Sequence, residues 1–296
     1  MSNIIDEVVK ASPNRRKFLK TLGAATAAVT AIGVATPSAE AQSSTELAVL
    51  NFALNLEYLE AEFYTYGQYG YGIEQFGIKT SGVASGNNPA GGGVTTGGAK
   101  VSFSNSLVYS QPITAQIGSD ERAHVVLLQS FLGNLAIAKP NLNLNALGIG
   151  FGSQNEFLTL ARVFEDIGVT AYAGAAYLLT TPIVIQTAAR ILAVEALHVG
   201  SIHTQIARLN IQSPVLDGAD LVPPPTGPQT QYLPVNTSNG LPALRSVGQV
   251  LNLAYGGAGL TQGAFFPSGI NGAFAGTPSA AAATSANLST QPAGFA

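Results

Sequence analysis

Two short stretches of this chain repeat the same pair of potential metal ligands. Glu121 and His124 form one E-x-x-H motif, and Glu195 and His198 form a second. Residues three apart on an α-helix lie on one face, so the carboxylate and the imidazole of each motif can reach the same cation. The sequence contains three histidines, and two of them fall in these motifs. This pattern favours metal binding over incidental Glu–His pairs on surface helices.

Further acids lie in apolar surroundings elsewhere in the chain. Glu57 and Glu60 precede the first motif, and Glu165 lies between the two motifs. A buried carboxylate without a partner is energetically costly, so these acids predict a shared ion site. Carboxylates can bridge two cations, and the imidazoles permit iron or manganese rather than calcium. The chain has no cysteine, which excludes thiolate ligands and disulfides.

The elements that must position these residues are helices. Apolar residues at three- and four-residue spacing predict four long helices and a short fifth. Pro112 and Pro182 suit first-turn positions, Pro140 is expected to stop the second helix, and Ser153 to Glu156 has the capping-box form. The predicted ranges are 46–66, 112–138, 154–179, 181–209 and 244–253. The first four ranges each carry candidate ligands, and a four-helix bundle is the simplest architecture for them.

The order Glu, E-x-x-H, Glu, E-x-x-H is the ligand order of ferritin-like di-iron and di-manganese proteins. Asn55-Leu56-Glu57 followed by Tyr64 resembles the first-helix signature of ferritins. The wider stretch 50–64 resembles a branch of exported bacterial ferritin-like proteins that includes the plant desiccation-related proteins. The resemblance covers about residues 45–210. It implies an all-α, ferritin-like four-helix bundle that holds two iron or manganese ions and reacts with oxygen or peroxide.

The resemblance also assigns roles to individual residues. It makes Glu57 the bridging ligand of the first helix. Glu60 stays an alternative or additional ligand, because it lies closer to the centre of the apolar stripe, whereas Glu62 is expected to face solvent. The implied metal ligands are Glu57, Glu121, His124, Glu165, Glu195 and His198.

Other residues are candidates for supporting the ligands. Tyr64 and Tyr172 each follow a candidate glutamate by seven residues, and either bond a ligand carboxylate or simply pack. Asp120 could hold a ligand histidine by its other ring nitrogen, although Val194 stands at the matching place in the second motif. His203 is expected to be a surface or packing residue.

The segments outside the predicted bundle have their own signatures. Residues 14–20 resemble a twin-arginine export signal, and an apolar run and an A-x-A site ending at Ala41 follow. We therefore expect a signal peptide over 1–41, cleavage near Ala41, and export to the periplasm or beyond. The apolar run is too short for a stable membrane span. Residues 77–100 form a Gly-rich insertion, and residues 211–296 form an extension rich in Pro, Gly and Ala. From about Gly256 this extension is expected to be poorly ordered or loosely packed.

The composition limits the possible functions. The formal net charge is −3, and no basic field indicates nucleic-acid binding. Two functional hypotheses remain. One is a two-metal redox protein, in which the sequence assigns no individual catalytic residue. The other is a non-enzymatic stress-related or desiccation-related protein, in which metal only stabilises the bundle.

Overall fold

Helices dominate the computed structural model, which describes residues 43–104 and 110–289. The described part contains four long helices, one short helix and two strands of two residues each. This confirms the predicted all-α class. The predicted signal segment, 1–41, lies outside the described residues. The helices are α1 Ser44–Tyr69, α2 Ser110–Leu132, α3 Gln154–Ala175, α4 Pro182–Leu209 and α5 Val247–Tyr255; the strands, β1 Thr95–Thr96 and β2 Leu142–Asn143, pair in parallel.

The long helices pack as two pairs, α1 with α2 and α3 with α4. Their buried faces form two apolar clusters. In one cluster Phe63 stacks on Phe157 with ring centroids 4.3 Å apart, while Leu54 and Leu128 belong to the other. These clusters align the ligand-bearing faces of the four helices.

Two of the predicted helices end earlier in the structure than expected. α2 ends at Leu132 and not at residue 138, because Gly133 adopts φ 56°, in the left-handed region, and a short 3₁₀ turn follows. Pro140 therefore lies well beyond the helix that it was expected to stop. α3 ends at Ala175, and the last predicted turn is a 3₁₀ helix over Ala176–Leu178.

The extension beyond α4 packs against the bundle, so the prediction of a loosely packed tail is wrong for its described residues. Phe265 and Phe266 are buried in the first apolar cluster. Asn55 of α1 donates to the carbonyl of Asn271 at 2.9 Å, and the Asn271 N–H donates back to Asn55 Oδ1 at 2.9 Å. Apolar residues spaced between the glycines of this segment thus complete the core.

Glu62 is fully buried, which contradicts the expectation that it faces solvent. Its carboxylate pairs with Lys139, itself buried, and accepts from Thr95 Oγ1 at 3.0 Å. Burial raises the pKa of Glu62, and the Lys139 ammonium only partly opposes this effect. The residues that follow α1 and α2 therefore cover a position that helical periodicity alone placed at the surface.

α4 is the only helix among the described residues whose length and composition would allow it to cross a membrane. Within the bundle its buried residues include Glu195, His198 and His203. The apolar character of α4 thus coexists with a polar inner face.

Glu46 joins the beginnings of α1 and α4. It completes a capping box with Ser43, and its carboxylate also accepts from the backbone N–H groups of Thr180 and Thr181 at 2.7 and 2.6 Å. The Thr181 hydroxyl donates to Glu46 at 2.8 Å instead of capping its own helix. At α3, Ser153 caps as predicted, but Glu156 bonds Gly150 and Gly152 rather than closing the box.

We predict that Glu46→Gln lowers the free energy of unfolding by about 2 kcal/mol, because a carboxylate that accepts several N–H groups is lost. Burial would raise the pKa of Glu46, but hydrogen bonds from Thr181, Thr180 and Ser43 lower it to about 2. Because the pKa of Glu46 is lower in the folded protein than in the unfolded chain, its carboxylate stabilises the fold fully above pH about 4.5. This stabilisation disappears as the pH falls toward 2.

Urea unfolding of both proteins across this pH range measures the effect. The difference between wild type and variant should shrink as the pH falls below about 4.5. Glu156→Gln is the matched control, since Glu156 also accepts two backbone N–H groups but is only half-buried. A difference that does not change with pH would contradict the role assigned to Glu46.

Candidate metal centre

Five carboxylates and two imidazoles meet in the interior of the bundle. Helical spacing places both ligands of each E-x-x-H motif on the inner face, as the sequence predicts. All seven residues are buried, with at most 7% of any residue exposed. α1 contributes Glu57 and Glu60, α2 Glu121 and His124, α3 Glu165, and α4 Glu195 and His198.

Six of these residues form two overlapping groups that could each hold an ion. Within each group, one ligand atom per residue lies within 4.8 Å of all the others. Glu121 and Glu195 belong to both groups, whereas Glu57 belongs to one. The residues common to both groups are the two glutamates of the E-x-x-H motifs, and a bridging role of Glu57 stays a prediction. The groups are Glu57, Glu121, His124 and Glu195, and Glu121, Glu165, Glu195 and His198.

Both histidines turn Nδ1 toward the carboxylates. His124 Nδ1 lies 3.2 Å from Glu57 Oε2 and 3.2 Å from Glu121 Oε2. His198 Nδ1 lies 2.9 Å from Glu121 Oε1 and 3.2 Å from Glu165 Oε2. Burial would lower the pKa of both imidazoles, but the surrounding carboxylates raise it well above its usual range. A proton on Nδ1 thus occupies the position that a cation would take.

Several carboxylate oxygens at the centre lack hydrogen bonds. Both oxygens of Glu195 and Oε1 of Glu121 have no hydrogen-bond partner among the described residues, since Glu121 Oε1 approaches His198 without bonding geometry. Burial raises the pKa of Glu60 and Glu195 well above the usual range, and neighbouring carboxylates add to the effect. Burial likewise raises the pKa of Glu57 to about 7. Buried carboxylates that outnumber the imidazoles beside them, with several oxygens lacking hydrogen bonds, fit a divalent cation such as iron or manganese.

Two tyrosines bond the outer carboxylates across the bundle. The Tyr64 hydroxyl of α1 donates to Glu165 of α3 at 2.5 Å, and the Tyr172 hydroxyl of α3 donates to Glu57 of α1 at 2.5 Å. Each tyrosine therefore bonds the glutamate of the opposite helix rather than the one seven residues before it. These contacts orient two of the candidate ligands.

The remaining predicted residues fall inside and outside the centre. Asp120 Oδ2 lies 3.4 Å from His198 Nε2, the ring nitrogen that faces away from the carboxylates. His124 has Val194 near the equivalent place, and its Nε2 has no hydrogen-bond partner within residues 43–104 and 110–289. His203 is buried and lies 2.8 Å from Asp166 Oδ1, in an ionic network separate from the two groups of ligands.

Gly168 is a site residue that the sequence reasoning missed. A Cβ atom at this position would lie 2.6 Å from Glu195 Oε2 and 3.3 Å from Glu60 Oε1. Glu60 therefore sits beside Glu195, although it belongs to neither group of four. The available signal was a glycine in the interior of an apolar helix, three residues after Glu165.

A helical bundle whose four long helices converge carboxylates and imidazoles in this order defines a ferritin-like protein. The model of the ferritin-like domain family matches residues 45–208, more than half of the chain. The chain therefore belongs to the ferritin-like domain family. No curated protein matches the chain.

We predict that Glu195→Gln changes the free energy of unfolding of the metal-free protein by less than about 1 kcal/mol, because burial raises the pKa of Glu195 well above its usual range and a neutral amide then replaces a neutral carboxyl of the same shape. The same change should remove most of the stabilisation gained when iron or manganese is added. Urea unfolding with a chelator, and again with added metal, measures both effects.

Glu62→Gln provides the control. That carboxylate is equally buried but paired with Lys139, so the substitution should destabilise the protein by about 2 kcal/mol. If Glu195→Gln destabilised the metal-free protein as much as Glu62→Gln, Glu195 would be a satisfied structural residue and not a site for a cation.

Proposed function

We propose that this chain is an exported ferritin-like protein that binds two iron or manganese ions and uses them in redox chemistry with oxygen or peroxide. The observation that carries the proposal is the overlap of the two candidate ion sites. Each site offers one imidazole and three carboxylates, and Glu121 and Glu195 are common to both. Residues shared in this way would hold two ions next to each other.

The charge of the centre supports two ions rather than one. Five buried carboxylates carry up to five negative charges, and two divalent cations would offset four of them. The ligand types also suit the proposed metals, because carboxylate oxygen with imidazole nitrogen is a common donor set for iron and manganese. Neighbouring redox metals would supply two electrons together for the reduction of oxygen or peroxide.

The protein's own contribution is to position the ligands. Tyr64 and Tyr172 hold Glu165 and Glu57 by their hydroxyl groups. Asp120 accepts from the outer edge of His198, which keeps Nδ1 turned inward. Gly168 leaves the space that the Glu195 carboxylate needs. The carboxylates of the centre are buried, and the low local dielectric strengthens the attraction between them and a cation.

We expect the mature protein, purified without added metal, to contain about two transition-metal ions per chain. The Glu121→Ala, Glu195→Ala double variant should contain almost none, because it removes both shared ligands. Elemental analysis of the folded proteins measures the content. Glu74→Ala, Glu156→Ala is the matched control, since it removes two carboxylates outside the centre.

The outcomes separate the competing functions. The proposal is supported if the parent and the control contain metal, the double variant has lost it, and the parent turns over oxygen or peroxide. Metal without turnover would favour the stress-related role, in which the ions stabilise the bundle. Absence of metal and of uptake when iron or manganese is offered would rule out the two-metal function.

The proposed export rests on the sequence of residues 1–41. We expect Arg15→Lys, Arg16→Lys to block export although the charge is kept, because the segment resembles a signal in which arginines are recognised. The precursor should then accumulate inside the cell, whereas the normal exported chain should begin at Gln42. Cell fractionation and N-terminal mass analysis measure this.

The matched control for the export experiment is Lys17→Arg, Lys20→Arg, which also changes two basic residues and keeps their charge. This control should be exported normally. Equal export of the Arg15, Arg16 variant and of the control would contradict the twin-arginine assignment.

A further inference from the structure

A surface groove follows α4 away from the candidate metal centre. Its first part is a cleft of about 330 Å³ between α2 and α4. Its second part is an adjoining cleft of about 520 Å³. Ile113, Leu197 and Ser201 line both parts, so the two form one groove, which we call the α4 groove. Volumes of this size accommodate organic molecules, whereas oxygen or peroxide would need far less space.

One end of the α4 groove lies at the histidine edge of the centre. His124 and His198 both line the first cleft, and their Nδ1 atoms face the carboxylates. The Nε2 edges therefore lie on the groove side of the rings. Asp120 also lines this end, beside His198. The Asp120 carboxylate disfavours an anion at this end of the groove.

The other end of the α4 groove is suited to an anion. Arg208 and Gln205 line it and lie three residues apart on α4, hence on one face. Gln205 is only 2% exposed, yet neither atom of its amide has a hydrogen-bond partner among the described residues. A buried amide without partners costs about 1–3 kcal/mol and requires an explanation. Arg208 takes part in no ion pair that the described residues form.

Between its ends the α4 groove is mostly apolar. Val194 and Leu197 of α4 line it, and Leu197 is 70% exposed. Leu233, from the extension beyond α4, lines the second cleft beside Gly200. A Cβ atom added at Gly200 would lie 3.6 Å from Leu233 Cδ2. His198 and Arg208 are ten residues apart, which corresponds to about 15 Å along a helix.

We propose that the α4 groove binds an elongated organic monoanion, an amphiphile of the fatty-acid type, with its uncharged end beside the candidate metal centre. Its carboxylate accepts from Gln205 Nε2 and from the Arg208 guanidinium, and its apolar chain lies along Leu197. The uncharged end reaches the histidine edge, where an anionic group would meet Asp120. This assignment rests on the proposed function, because the centre at the end of the groove is the candidate metal site.

The first test is calorimetric titration of the purified, metal-loaded protein with dodecanoate below its micelle concentration. We expect saturable binding, weakened about tenfold or more by Arg208→Gln and by Leu197→Glu. Ile185→Glu is the matched control, since Ile185 is an exposed apolar residue of α4 outside the groove. Acetate and dodecanol, which lack the chain and the charge respectively, should bind at least tenfold more weakly.

Gln205→Met distinguishes a ligand-binding role of Gln205 from a purely structural one. If Gln205 serves the ligand, the substitution weakens dodecanoate binding but raises the thermal midpoint of the ligand-free protein, because an unsatisfied amide is removed. A loss of thermal stability with unchanged binding would overturn the role of Gln205.

The orientation is tested by nuclear magnetic resonance with the protein loaded with paramagnetic manganese. The terminal methyl resonance of dodecanoate should broaden more than the resonance of the methylene beside the carboxylate. Zinc-loaded protein, which is diamagnetic, is the control. Stronger broadening at the carboxylate end would overturn the proposed orientation.

A failure of the groove proposal can be distinguished from a failure of the metal site, because metal content is measured before any ligand is added. Metal-loaded protein that does not bind dodecanoate, or binds it equally in all variants, would overturn the groove assignment and leave the metal function intact. A dimer that Leu197→Glu dissociates would also overturn it, since a second copy of the chain would then cover the groove. Protein without metal would contradict the proposed function itself.

Discussion

The burial of five carboxylates in an otherwise apolar bundle is the constraint on which the rest of the structure depends. Each of them loses its hydration, and the chain supplies only part of the compensation. Glu57 and Glu165 receive tyrosine hydroxyls, whereas Glu195 receives no hydrogen bond from the described residues. Elsewhere in the same chain a buried acid has a lysine as its cationic partner, as Glu62 has Lys139. The centre differs from the Glu62–Lys139 pair in that five carboxylates share only two imidazoles, an arrangement that is compatible with a metal site.

The two halves of the bundle repeat one pattern, and each half completes the other. Tyrosines on α1 and α3 bond the glutamate of the opposite helix, so neither half holds its ligands alone. The repeat is broken three residues after each glutamate, where α1 carries Glu60 and α3 carries Gly168. The glycine leaves the space beside Glu195 into which the Glu60 carboxylate reaches. A fifth carboxylate therefore fits because the matching position has no side chain.

The sequence predicted what depends on helical spacing and did not predict what depends on distant contacts. The convergence of Glu121 with His124 follows from their separation of three residues, and the structure places both beside the other candidate ligands. The burial of Glu62 required knowledge of Lys139, 77 residues away, and the close packing of the extension required Asn271 to meet Asn55 across 216 residues. Which glutamates are shared between the two groups was equally a matter of assembly, since spacing within one helix cannot specify it.

The two candidate ion positions are not equivalent, and the difference lies in the outer edges of their histidines. His198 Nε2 is held by Asp120, whereas His124 Nε2 has no partner in the described part of the chain. A histidine that binds a metal through Nδ1 carries its proton on Nε2, so His124 would present a free N–H donor on the groove side. The ion position beside His124 would thus respond more strongly than the one beside His198 to a molecule bound in the α4 groove. Under the proposed function, Asp120 would fix the ring orientation of His198, whereas the ring orientation of His124 would depend on its surroundings in the groove.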